Sequence, residues 1–182
     1  WGEIGQNSGS DQFIGGSQDN GSNFVNGGIN GINSSSEISG GDGGYCFIDK
    51  DGAYLITSFT NNNYNRFSLP NTNSSVTVVD DDDTGSFINP ADLDDNLDIL
   101  YTNGSGTSQQ ISRFENLLTS SPDRTNFTNP LLTATPTVLK VSPFTISSTT
   151  LFVGTSGGQL HGHFFVDTKV SSAVATKGIL LK

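Results

Sequence analysis

The chain has 182 residues, with 18 acidic against 8 basic side chains and a net charge of −10. That balance excludes nucleic acid and an anionic membrane surface as partners. No apolar run approaches the ~20 residues that a membrane-spanning helix needs, so membrane insertion is not expected.

There are 22 Gly, and Asn, Ser and Thr crowd the remainder. No long stretch carries apolar residues at helical spacing. Short apolar bursts between turn-formers predict many short strands, hence an all-β fold. Residues 1–12 are Gly/Ser/Asn-rich and lead into the apolar triplet Phe13-Ile14-Gly15. Residues 26–43 read as a long loop, and residues 44–67 as a compact hairpin unit holding Cys46-Phe47-Ile48-Asp49 and Leu55-Ile56-Thr57. A polar turn at 71–75 precedes an outer strand over Val76-Thr77-Val78-Val79. Phe87-Ile88-Asn89-Pro90 and Lys140-Val141-Ser142-Pro143 read as strands that end on proline, which lacks the N–H a ladder needs. Between them lie Leu100-Tyr101-Thr102 and a proline-marked surface loop over residues 116–135. Phe152-Val153-Gly154 opens a further hairpin, and the tail over residues 171–182 reads as a strand with its partner elsewhere.

The triplets recur. Counted on Ile14, Ile56, Leu100 and Phe152 they are 42, 44 and 52 residues apart, and each is followed by a Gly/polar turn and a second strand. Three copies then close on a basic residue and Phe: Arg66-Phe67, Arg113-Phe114 and His163-Phe164, with Asn23-Phe24 the weakest counterpart. A β-rich unit copied at this period has the size of a propeller blade. The expected fold is a β-propeller segment of about four blades, with units near 13–43, 44–80, 85–115 and 136–166, forming an arc of a larger propeller. A chain without any Met reads as a processed or partial piece of something larger. Its partner is then the remainder of that propeller or a surface assembly.

Phe13-Ile14-Gly15-Gly16-Ser17-Gln18-Asp19-Asn20-Gly21 resembles the GG[ST]QDNG turn of BNR/sortilin-like β-propellers. Gly40-Gly41-Asp42-Gly43-Gly44 before Phe47-Ile48-Asp49 is similar to the GGDGG stretch that follows it there, and Leu151-Phe152-Val153-Gly154-Thr155 to a recurrent hairpin of the family. The family includes sialidases, endoglucanases, sortilin-type receptors and bacterial surface proteins, so the resemblance speaks for fold more than for activity. No turn reads Ser-x-Asp-x-Gly-x-Thr-Trp, and Trp1 is the only Trp, which argues against a sialidase.

Four features offer chemistry. Asp92, Asp94, Asn96 and Asp98 follow the run Asp80-Asp81-Asp82-Asp83 and present oxygens at alternate positions. A Ca²⁺ loop uses such donors, but the Gly and Glu of an EF-hand are missing, and a solvated acidic loop is the competing reading. Asp19 and Asp42 are the candidate carboxylate pair of a propeller glycoside hydrolase, which needs two such groups across a cleft. Turn closure is the ordinary use of the same residues. His161 and His163 lie two apart on a strand, short of a third metal ligand, and read as structural. Cys46 is single and sits in an apolar stretch, where packing is the usual role. Composition rich in Asn, Thr, Ser and Gly suits a secreted or cell-surface protein. The expected function is a binding or scaffold module with a carbohydrate or protein ligand; the hydrolase is the alternative.

Overall fold

The computed structural model describes residues 4–6, 11–27 and 35–166. Those residues form four antiparallel sheets in chain order, and no helix occurs among them. Blade 1 holds β1 (Ile4–Gln6), β2 (Gln12–Ser17), β3 (Gly21–Asn26) and β4 (Ser36–Ser39). Blade 2 holds β5 (Phe47–Ile48), β6 (Tyr54–Ser58), β7 (Asn62–Ser68) and β8 (Ser75–Asp81). Blade 3 holds β9 (Ala91–Asp94), β10 (Ile99–Asn103), β11 (Ile111–Glu115) and β12 (Asp123–Phe127). Blade 4 holds β13 (Pro136–Val141), β14 (Ser148–Thr155) and β15 (Leu160–Val166). Each sheet is a meander of neighbouring strands, the blade pattern of a β-propeller.

The recurring element is a two-residue apolar step in the second strand of each sheet. Side chains alternate across a pleated strand, so the first residue of the step faces the preceding blade and the second faces the next. Leu55 and Phe67 pack with Ile14 and Phe24 of blade 1, while Ile56, Tyr54 and Tyr64 pack with Leu100 and Phe114 of blade 3. Tyr101, Ile99 and Ile111 in turn pack with Leu139, Val141, Leu151 and Val153 of blade 4. Three apolar seams therefore join the blades in series. Among the described residues no core cluster joins blade 4 to blade 1, so these residues form an arc.

Register changes the phase of the repeat: the residue equivalent to Ile14, Ile56 and Phe152 in blade 3 is Tyr101 rather than Leu100, and the last copy's triplet begins at Leu151 rather than Phe152. Phe13, Leu55, Leu100 and Leu151 lie opposite Val25, Phe67, Phe114 and His163; Ile14, Ile56, Tyr101 and Phe152 lie opposite Phe24, Arg66, Arg113 and Gly162. His163 thus stands where the other blades carry Phe67 and Phe114, not where they carry arginine. Leu151-Phe152-Val153 is apolar throughout, so the sequence alone offers no phase.

Two other readings change. Phe87-Ile88-Asn89-Pro90 is not a strand; the inner strand β9 begins after the proline. Buried Asn89 is a hub instead, its amide donating to Asn103 O at 2.9 Å and its Oδ1 accepting from Ser86 N at 3.0 Å. The expected loop over 116–135 contains β12, whose residues are largely exposed on both faces and so carry no apolar alternation. The tail over 171–182 lies outside the described residues.

The two members of the step in blade 4 are expected to respond differently to truncation. Leu151 is fully buried in the seam with blade 3, whereas Phe152 is 43% exposed. Urea denaturation should show Leu151→Ala losing about 3 kcal/mol and Phe152→Ala less than half as much. Equal losses would contradict the register.

Candidate functional site

The acidic residues are distributed along the seams. Strand β9 turns Asp92 and Asp94 toward blade 4. The Asp92 carboxylate accepts from Val141 N at 2.6 Å and from the Lys140 ammonium at 3.1 Å. Burial raises its pKa, against the pull of Val141 N–H and Lys140. Asp94 accepts from the Thr149 hydroxyl at 2.5 Å through Oδ2 and from Asn96 N at 3.2 Å through Oδ1. Asn96 donates its amide to Thr145 O at 2.9 Å and accepts from Lys50 Nζ at 2.8 Å. Asp98 accepts from the Tyr54 hydroxyl at 2.8 Å, toward blade 2. The four side chains thus serve separate sets of partners. Among the described residues no group of three or more His, Cys, Asp or Glu is placed to hold a metal ion.

Asp95, which spacing did not single out, has the more unusual environment. Both of its oxygens accept the Lys50 backbone N–H, at 2.9 and 3.1 Å, while Lys50 Nζ donates to the Asp95 carbonyl at 2.7 Å. Burial, with the Asp49 carboxyl beside it, pushes the Asp95 pKa up to about 6.

Asp19 and Asp42 are brought together. Asp42 Oδ1 accepts the Asp19 backbone N–H at 2.9 Å, with Asp19 at a φ of 62° in the β2–β3 turn. The two glycine-rich segments meet backbone to backbone: Gly21 N donates to Gly41 O at 2.7 Å and Gly43 N to Ser17 O at 3.0 Å. A Cβ on Gly16 would lie 2.2 Å from Gly44 O. Only glycine permits this approach. The tandem motifs therefore form the polar part of the seam between blades 1 and 2.

One carboxylate at each seam thus takes a backbone N–H across it: Asp42 from Asp19, Asp95 from Lys50, and Asp92 from Val141. The run at 80–83 adds a latch at the rim of blades 2 and 3, where Asp81 meets Arg124 at 2.7 Å. Burial pushes its carboxyl up, but Arg124 and the Thr84 hydroxyl outweigh this and hold it below the usual range. Cys46 is buried, and burial raises its thiol pKa. His161 and His163 lie opposite Val153 and Leu151 in register.

A cleft of about 350 Å³ opens at the inner ends of blades 3 and 4, between Asp92–Asn96 on one side and Lys140–Pro143 with Phe152 on the other. Carboxylates, an amide, an ammonium and a phenyl ring line it together. Loop residues Phe144 and Ile146, each 87% exposed, stand beside Thr145 on the same loop.

Folding raises the Asp95 pKa from 3.8 to about 6, so the native state holds a proton that the unfolded chain has released between about pH 4 and pH 6. This residue's contribution to stability therefore falls as pH rises through that window. Asp95→Asn keeps an acceptor for Lys50 N–H, and chemical denaturation from pH 4 to 7 should show a flatter profile in the variant. An unchanged slope would contradict the assignment.

No family model matches the sequence, and no curated protein matches it. Among solved structures the chain is similar to one titled Kuenenia stuttgartiensis hydrazine synthase, with a TM-score of 0.60 and 13% identity. The likeness covers 88% of this chain and 44% of that one, so this chain spans less than half of its length. At this identity the likeness shows the fold, a β-propeller module.

Proposed function

We propose that this propeller module is a binding module of a secreted or cell-surface protein, of the BNR/sortilin-like type that its glycine-rich turns resemble. The cleft between blades 3 and 4 is its ligand site. The observation that carries this reading is the composition of the cleft: Asp95, Asn96 and Lys140 offer acceptors and donors beside the half-exposed ring of Phe152. Few polar groups fixed on a rigid frame beside apolar surface are what a small polar ligand requires, and a carbohydrate fits that chemistry.

The frame is rigid because the loops are tied in series. Lys50 of blade 2 holds Asp95 and Asn96 of blade 3, and Asn96 holds Thr145 of blade 4. Such loops carry binding in many folds because the scaffold positions them. A protein ligand is favoured by a separate observation: Phe144 and Ile146 project fully from the same rim, and exposed apolar side chains on an ordered loop mark contact surfaces.

Calorimetric titration with β-glucan oligosaccharides and with sialosides tests the carbohydrate reading. Binding is expected, and Asn96→Ala should weaken it about tenfold, the cost of one or two ligand hydrogen bonds. Binding that is unaffected by Asn96→Ala and by Lys140→Ala would place the ligand elsewhere. No binding to any glycan, with Phe144→Ser abolishing capture of a protein ligand, would favour the second reading.

A further inference from the structure

The basic position in the third strand of blades 2 and 3 is satisfied differently in its two copies. Arg66 lies opposite Ile56, and Arg113 opposite Tyr101. Both arginines are buried, at 6% and 9% exposure. An arginine does not shed its charge in a protein, so a buried guanidinium needs an anion or a full set of acceptors. Arg113 has them. It pairs with the Glu115 carboxylate two residues along the strand, and its Nε donates to the Tyr101 hydroxyl at 3.3 Å. Arg66 has neither. The residue two along its strand is Ser68, and the residue opposite it, Ile56, carries no hydroxyl. Nη1 donates to Ser68 Oγ at 3.0 Å and Nη2 to the Thr119 carbonyl at 3.5 Å, both neutral acceptors. Nε is buried with no acceptor among the described residues. Nor does any described carboxylate come within ion-pairing distance of Arg66.

We propose that Arg66 is the base of a small-oxyanion site at the seam of blades 2 and 3, taking a carboxylate or phosphate group from solution. The guanidinium is a planar fork of donors matched to two oxygens of such a group. Its terminal nitrogens end between Ser68 and Thr119, both exposed residues, so an anion entering between them meets those nitrogens first. Ser68 accepts from Nη1 through its oxygen and keeps its own hydroxyl proton to donate. Glu115 shows the arrangement completed within the chain: an oxyanion delivered from two residues along the strand to the same arginine position. Arg66, Ser68 and Thr119 do not line the cleft between blades 3 and 4, so the two sites are separate. The net charge of −10 opposes anions in general. Binding therefore rests on this local cation and should weaken as salt screens it.

The Nε–H resonance of Arg66, followed by NMR in the wild-type chain, tests this. Inorganic phosphate and acetate are the probes, with chloride at matched ionic strength as the control. Phosphate, acetate or both should shift the resonance saturably, whereas chloride should not. A response to phosphate alone assigns the site to phosphoryl groups, and a response to acetate alone to carboxylates. Ser68→Glu places a carboxylate where blade 3 carries Glu115. That variant should fold, melt at a higher temperature than the wild-type chain and lose the shift with either probe. Arg66→Gln should also remove the anion-dependent rise in melting temperature; should it fail to fold, the Ser68→Glu result decides alone. A resonance that stays still with both probes, or moves equally with chloride, would overturn the proposal. So would a Ser68→Glu variant that melts lower than the wild-type chain or still responds fully to the probes.

Discussion

The pleat of a β-strand imposes the constraint on which this molecule is built: two consecutive side chains must point to opposite faces of the sheet. A strand that is apolar at both positions cannot rest on one core. Leu55-Ile56 and Leu100-Tyr101 are such pairs, all four side chains fully buried. The sheets that contain them must be covered on both sides. Serial packing of blades is the solution that covers both faces with further copies of the same unit. The three apolar clusters, each shared by two consecutive sheets, are the result.

Apolar faces alone would let neighbouring sheets slide. The aspartates add direction. Asp42, Asp95 and Asp92 each take a backbone N–H that the adjacent blade has no ladder partner for. Val141 lies on the inner edge strand of its sheet and Asp19 and Lys50 in turns, positions whose N–H groups need acceptors outside the ladder. A carboxylate there satisfies the donor and fixes the seam's register. The cost appears in the raised pKa values of Asp92 and Asp95, which burial disfavours as anions. The loops that these residues hold at the inner rim are therefore tied across the seams by hydrogen bonds.

The blade period was readable because it rests on apolar pairs and on turn residues, both local signals. Phase was less readable. Three consecutive apolar residues, Leu151-Phe152-Val153, hide which one faces blade 3; only the pairing of Leu151 with His163 decides it. β12 was invisible because an outermost strand exposed on both faces has no apolar alternation. The acidic stretch after Pro90 looked like a solvated or ion-binding loop because its partners are remote in sequence. Val141 N lies 49 residues from Asp92, and Thr149 lies 55 from Asp94. Residue spacing reports donors that are close along the chain, and these carboxylates are used by donors that are not. Asp19 and Asp42 could be identified as displayed turn residues, but their contact depends on the close approach of two glycine segments that only the fold brings about.

Amide hydrogen exchange at Lys50 and Val141 probes the central claim most directly. Lys50 N–H, in the turn after β5, is accepted by Asp95 of the following blade, and Val141 N–H, on β13, by Asp92 of the preceding blade. Exchange at both should be strongly protected. Asp95→Ala should release Lys50 alone and Asp92→Ala Val141 alone, while amides inside each sheet keep their protection. Free exchange at Lys50 and Val141 in the unaltered chain would contradict an account in which aspartates latch the seams.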